Sequence, residues 1–160
     1  MNGKSMGAIT PRQASKIVDE RNDSGQLLTR AGEPRKYAFR HKIGVGTPNG
    51  RHISIAAKNT ADPLDAGTAD GVTVYINAMS CAAEAFPVIE VETVMPGLEV
   101  RKVYPKGYKG ATNDKGLSAA AASCATLDPS TNDVIRLAVR DETAFRRLLA
   151  WYSGEARLAR

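Results

Sequence analysis

The chain has 160 residues, 42% of them hydrophobic and 24% charged, which suits one domain with a real core and excludes wholesale disorder. Lysine and arginine exceed aspartate and glutamate by 22 to 17, a net charge of +5, and this excess favours an anionic partner such as nucleic acid. No apolar run approaches the roughly 20 residues of a membrane span, the opening residues lack an apolar signal core, and Cys81 and Cys124 are too few and too far apart for a zinc site or a disulfide framework, so a cytosolic setting with two free thiols and no metal or other cofactor is expected.

Residues 1–35 are polar and punctuated by Gly25, Gly32 and Pro34. Lys16-Ile17-Val18 and Gln26-Leu27-Leu28-Thr29 read as short β-compatible pieces of an extended arm. The clearest signal runs from Lys36 to Lys58. Tyr37, Phe39, His41, Ile43 and Val45 alternate with Lys36, Ala38, Arg40, Lys42 and Gly44, the period of a half-buried strand. A turn at 46–50 leads to a second alternating run, with Ile53, Ile55 and Ala57 against His52, Ser54, Ala56 and Lys58. A hairpin that pairs Val45 with Arg51 sets Ile43 opposite Ile53 and His41 opposite Ile55. One face is then apolar, and the other carries Lys36, Arg40, Lys42 and Lys58 with Ser54 and Ala56.

Residues 59–71 read as a loop, and Val72–Ile76 as a strand. Val88–Val94 and Leu98–Val103 flank Met95-Pro96-Gly97 and predict a second hairpin. Residues 104–132 have a basic glycine-rich half and an alanine-rich half, a composition expected to fill no core. Their length marks them as a functional or mobile connection. Ile135, Leu137 and Val139 alternate with Arg136, Ala138 and Arg140 as a last strand. Asp141 then caps a helix, whose stripe of Ala144, Phe145, Leu148, Leu149 and Tyr152, with Trp151 at its margin, should be buried against the sheet or a partner's helix. The domain divides into 1–35 (arm), 36–103 (sheet hairpins), 104–132 (long loop) and 133–153 (strand plus helix).

Little here reads as catalysis. The histidines His41 and His52 fall on opposite faces of the hairpin, which disfavours a shared metal, and His41 reads as a packed residue at the core's edge. The chain offers instead a basic sheet face, with Lys36, Arg40, Lys42, Lys58, Arg136 and Arg140 on alternate strand positions. Such residues bind phosphates largely without regard to sequence.

The opening residues Lys4, Met6, Ile9-Thr10 and Lys16-Ile17-Val18 resemble the coat proteins of single-stranded RNA bacteriophages. So does the order of elements: the run Arg40-His41-Lys42-Ile43-Gly44-Val45, the turn Asn49-Gly50-Arg51, its partner His52-Ile53-Ser54-Ile55, and Val134-Ile135-Arg136-Leu137 leading straight into a helix. The resemblance covers residues 1–60 and 133–153. It departs at 61–132, which is longer than usual, and in having one C-terminal helix where many relatives carry two.

The resemblance implies an α+β fold, mostly antiparallel β-sheet with a C-terminal helix packed on one face, in a coat-like dimer. The subunit would self-assemble into an icosahedral shell in the cytoplasm of a bacterial host and become part of a virion. Single-stranded RNA would lie on the sheet's inner face, where one RNA hairpin acts as a packaging and translation-repression signal. Lys36, Arg40, Lys42, Ser54, Lys58, Arg136 and Arg140 would contact it, and Phe145, Leu148, Leu149, Trp151 and Tyr152 would pack the dimer's helical layer. Relatives sometimes link loops around a symmetry axis by disulfides, a role open to Cys124 beside that of a reduced thiol. A cellular single-strand nucleic-acid-binding module and a phage decoration or tail protein without a nucleic-acid role are the alternatives.

Overall fold

The structure is a computed structural model that describes residues 8–21, 38–43, 50–56, 71–109, 117, 120–121 and 124–158, with 38–40 as backbone. In chain order its elements are α1 (Pro11–Arg21), β1 (Ala38–Ile43), β2 (Arg51–Ala56), β3 (Val72–Asn77), α2 (Val91–Val94), β4 (Leu98–Tyr104), a 3-10 turn (Ala125–Leu127), β5 (Val134–Val139) and α3 (Glu142–Tyr152). The five strands form one antiparallel sheet in the order β1-β2-β3-β5-β4. β3 and β4 therefore run the same way, with β5 between them.

Lys16-Ile17-Val18 belongs to a helix, not to an extended arm. Pro11 occupies the first helical position, where its missing N–H costs nothing. Thr10 and Gln13 cap each other: the Gln13 amide donates to Thr10 Oγ1 at 3.2 Å, and the Thr10 amide donates to Gln13 Oε1 at 2.9 Å. Ala14, Ile17 and Val18 then lie on the buried side at helical spacing. Gln26–Thr29 lies outside the described residues.

The first hairpin forms with a register two residues away from the one expected. Ile43 pairs with Arg51, His41 with Ile53 and Phe39 with Ile55. An even shift leaves every side chain on its expected face. The second expected hairpin does not form. Residues 88–90 turn, Val91–Val94 make one helical turn, and β4 pairs with β5. Gly97, at φ +93, is where the chain enters β4, and a Cβ there would stand 2.6 Å from Ala144 Cβ, so close packing and backbone conformation both call for glycine.

One core fills the first face of the sheet. Ile43, Ile53, Ile55, Val74, Ile76, Ile135 and Leu137 meet the apolar sides of α1 and α3 there. Asp141 caps α3 as expected, accepting from the Ala144 amide at 2.9 Å. Phe145, Leu148, Leu149, Trp151 and Tyr152 are all buried within the single chain, so no partner's helix is needed to cover them. Trp151 is not marginal: its Nε1 donates to Glu84 at 3.0 Å and its ring meets Phe86 edge-on at 5.4 Å. The α1 and α3 helices also contact each other.

The second face is not an open platform either. Tyr75, Tyr104 and Val134 are buried there with Leu117, Ala120, Cys124 and Leu127 from the long segment after β4. Thr126 ties this cover down. Its Oγ1 accepts from the His52 amide at 2.7 Å, and its carbonyl accepts from Asn77 Nδ2 at 2.8 Å. The alanine-rich stretch thus contributes to a core after all. Small side chains suit a cover that lies close over the pleat.

Leu148→Ala and Leu127→Ala test the two layers separately. Each should cost about 2–5 kcal/mol in denaturant unfolding of the whole chain. A loss confined to Leu148→Ala would mean that the segment after β4 adds nothing to the fold.

Candidate nucleic-acid interface

Strand registers set the geometry of the second face. Arg40, Ser54, Tyr75, Arg136 and Lys102 stand in register across β1, β2, β3, β5 and β4. This single transverse row brings three of the expected RNA-binding residues, Arg40, Ser54 and Arg136, into line. Its centre is closed to solvent, with Ser54 at 1% and Tyr75 at 3% exposure. Arg136 is half-buried. Ser54 is thus closed to solvent, on the face that Leu117, Ala120, Cys124 and Leu127 cover.

The remaining expected residues do not converge. Lys42 is half-buried one pleat away from that row. Arg140 is exposed just past the end of β5, where its amide donates to Gly97 O and its carbonyl accepts from the Ile9 amide. Lys36 and Lys58 lie outside the described residues. His52, beside Lys42, is bound by Thr126, whose Oγ1 lies 2.9 Å from Nδ1. The Thr126 amide also donates to Nδ1, at 3.4 Å, so that nitrogen is an acceptor and the neutral ring carries its proton on Nε2. Burial first, and then the charge of Lys42, hold the His52 pKa below its ordinary value.

One group of solvent-facing basic residues lies at the β4 edge of the sheet and the turn that follows. Arg101, Lys102, Lys106 and Lys109 are all exposed. A bulge between Val100 and Lys102 breaks the ladder with β5, and charged side chains with a bulge are the usual way of blunting a free strand edge. Beyond the bulge, Lys102 and Tyr104 share the second face. The Lys102 ammonium lies 5.2 Å from the ring centre of Tyr104 and 5.3 Å from that of Tyr108, within cation–π range. The two rings meet edge-on at 5.1 Å, Tyr104 buried and Tyr108 half-exposed.

Backbone contacts hold this turn in shape. The Lys106 amide donates to Asp133 Oδ1 at 2.7 Å, the Gly107 amide to Pro129 O at 2.7 Å and the Tyr108 amide to Pro105 O at 2.9 Å. Gly107 takes φ +89 with open space around it, so its left-handed backbone alone selects glycine. The site was only half legible in the sequence. The segment Lys102-Val103-Tyr104-Pro105-Lys106-Gly107-Tyr108-Lys109 interleaves lysines with tyrosines, but the sequence pattern puts Lys102 in a hairpin with residues 88–94 and Tyr104 and Tyr108 in the long loop that follows.

One other polar cluster stands out on the first face. Ser15 Oγ lies 2.8 Å from His41 Nε2, and Asp19 lies near the ring's other nitrogen. The order of groups is that of a nucleophile, a base and an orienting carboxylate. Ser15 sits in mid-helix at 4% exposure and His41 at 0%, so the contact joins α1 to β1. Among the described residues no three His, Cys, Asp or Glu side chains come together to hold a metal ion, and no helix is long and apolar enough to cross a membrane. No protein-family model, no curated protein and no solved structure matches the chain.

Cys124, expected on a loop reaching towards a neighbouring subunit, is buried at 0% exposure in the second core, while Cys81 is half-buried. Thiol labelling of the folded protein should modify Cys81 well before Cys124. Non-reducing gels should show no ladder that disappears in Cys124→Ser. Rapid labelling of Cys124 in native buffer would show that the cover opens.

Proposed function

We propose that this chain is a structural subunit of the kind its sequence resembles, a coat protein that associates with copies of itself and holds single-stranded RNA. The observation that carries the RNA part is the strip on β4 and its turn, where the Lys102 ammonium stands over Tyr104 and Tyr108 and Lys106 and Lys109 of the same turn are exposed, while Arg101 at the bulge pairs with Glu99 at 3.5 Å. Lysines and arginines attract the phosphate backbone, and a half-exposed tyrosine offers a face to an unpaired base. The RNA contact is thereby assigned to one edge of the sheet and not to its covered centre. The five-stranded antiparallel sheet, leading directly from its last strand into a C-terminal helix, supports the coat reading at the level of architecture. The setting is then a virion assembled in a bacterial host.

One observation favours a second reading. Aromatic rings interleaved with cations are the usual equipment of single-strand nucleic-acid-binding modules that act without building a shell. Both readings use the same strip and differ in self-association.

Electron microscopy and light scattering of the purified protein separate them: closed shells support the coat subunit, and RNA-binding monomers support the module. The strip itself is tested by titrating a single-stranded RNA at several salt concentrations. Replacing Lys102, Lys106 and Lys109 by Glu should reduce the slope of log affinity against log salt by about 2, at ~0.7 per phosphate contact, and weaken binding about a hundredfold at ~0.1 M salt. Unchanged RNA affinity in that variant would place the contact elsewhere. Protein that binds no RNA at all would leave the decoration-protein role.

A further inference from the structure

His41 belongs to β1 but its ring lies under α1, fully buried. Its Nε2 is engaged by Ser15 Oγ at 2.8 Å, while its Nδ1 is buried with no hydrogen-bond partner. Asp19 Oδ1 stands 3.8 Å from that nitrogen, one helical turn beyond Ser15 and outside hydrogen-bonding range. The Asp19 side chain is half-exposed, so it is partly solvated and approaches the ring from the rim of the helix.

The other charged groups around this contact are engaged elsewhere or face away. Arg51, on the same face of β2, donates to the Met79 and Gly50 carbonyls. Lys42 and His52 pair with each other in register and alternate to the opposite face of the sheet. Glu20, next to Asp19, lies 3.7 Å from Arg146 of α3, which also binds Glu142. Asp19 is thus the charge that acts on His41.

We propose that Ser15, His41 and Asp19 form an acid-operated latch: the neutral ring seats α1 on the sheet, and a proton taken up by the ring loosens that seat while the sheet stays folded. A second proton on the ring makes both nitrogens donors. Nε2–H then donates to Ser15 Oγ, and Nδ1–H⁺ faces Asp19, too far off to bond until helix and strand shift. Burial opposes the charge more strongly than Asp19 favours it, and the pKa of His41 is accordingly held below 6.5. The sign follows. An unfolded or released His41 binds its proton more readily than the seated one, so the latch contributes its full stability above about pH 6.5 and loses it as pH falls towards the lower, seated value.

The loss is local because α1 packs over one side of the sheet only. It touches β1, β2 and α3, whereas β3, β4 and β5 are held by their own ladders and by both cores. Elements held in this way open independently of the global transition. His52 titrates in the same direction on the other face, so the two histidines must be separated.

Hydrogen exchange of the full chain, corrected for intrinsic rates, reads the latch directly at about pH 7.5 and about pH 5. Protection of the α1 amides should fall at least about tenfold on acidification, with β3 and β5 unchanged. His41→Phe should remove that difference, and His52→Gln should not. Should His41→Phe fail to fold, Asp19→Asn supplies the test with the histidine intact. Removing the carboxylate lowers the seated pKa further and leaves that of the released ring nearly alone, so the acid loss of α1 protection should be greater than in the parent chain. Equal α1 protection at both pH values overturns the latch. So does an acid loss spread evenly over β3 and β5, or one that Asp19→Asn fails to deepen.

Discussion

Strand β5 is bonded on both sides, to β3 and to β4, and it carries apolar side chains on both of its faces. A strand of that kind requires cover above and below, because an apolar sheet face left in water gives up roughly 25 cal/mol for every Å² that could have been buried. The rest of the structure answers that requirement. Helices α1 and α3 close the first face, and the segment after β4 closes the second. Tyr104 at the end of β4 pairs with Val134 at the start of β5, so a short turn could join them, and the long segment between is instead an excursion over the second face. The cover is made during that excursion.

This arrangement sorts the positive charge. In the transverse row Arg40, Ser54, Tyr75, Arg136 and Lys102, the side chains of Ser54 and Tyr75 are shielded and Lys102 is exposed at the β4 edge. An ammonium keeps its hydration there, whereas a buried one needs a compensating partner. The β4 edge is the better equipped of the two described edges, since its bulge turns Lys102 over Tyr104 and the anchored turn adds Tyr108, Lys106 and Lys109. A rigid basic strip with an accessible ring is suited to single strands, whose bases are free to stack.

The two sheet edges differ in how their polar groups are satisfied. At β1 a histidine is buried with one nitrogen unpaired and a carboxylate just out of reach. At β4 the lysines are in water beside a half-exposed tyrosine. The first edge is therefore sensitive to protons and the second to salt. Both sensitivities arise from the same fold, because its strand order leaves two edges with opposite surroundings.

Period-two alternation in residues 38–56 and 134–139 determined which residues face which side of the sheet, and the assignment survived a two-residue change of register because an even shift preserves parity. The apolar stripe after Asp141 and its cap were equally legible, being local to one helix. The capping pair Thr10 and Gln13 around Pro11 is also written in the sequence, but the β-branched pair Ile17-Val18 is equally compatible with a strand, since such residues serve either element. Tertiary structure alone decided that β4 pairs with β5, that residues 88–94 stay out of the sheet, and that Leu117, Cys124 and Leu127 cover the second face. Periodicity specifies a face and not the strand beside it or the layer above it. Those are settled by which long-range contacts bury the most apolar surface, and an alanine-rich segment gains that burial only once an apolar sheet face lies beneath it.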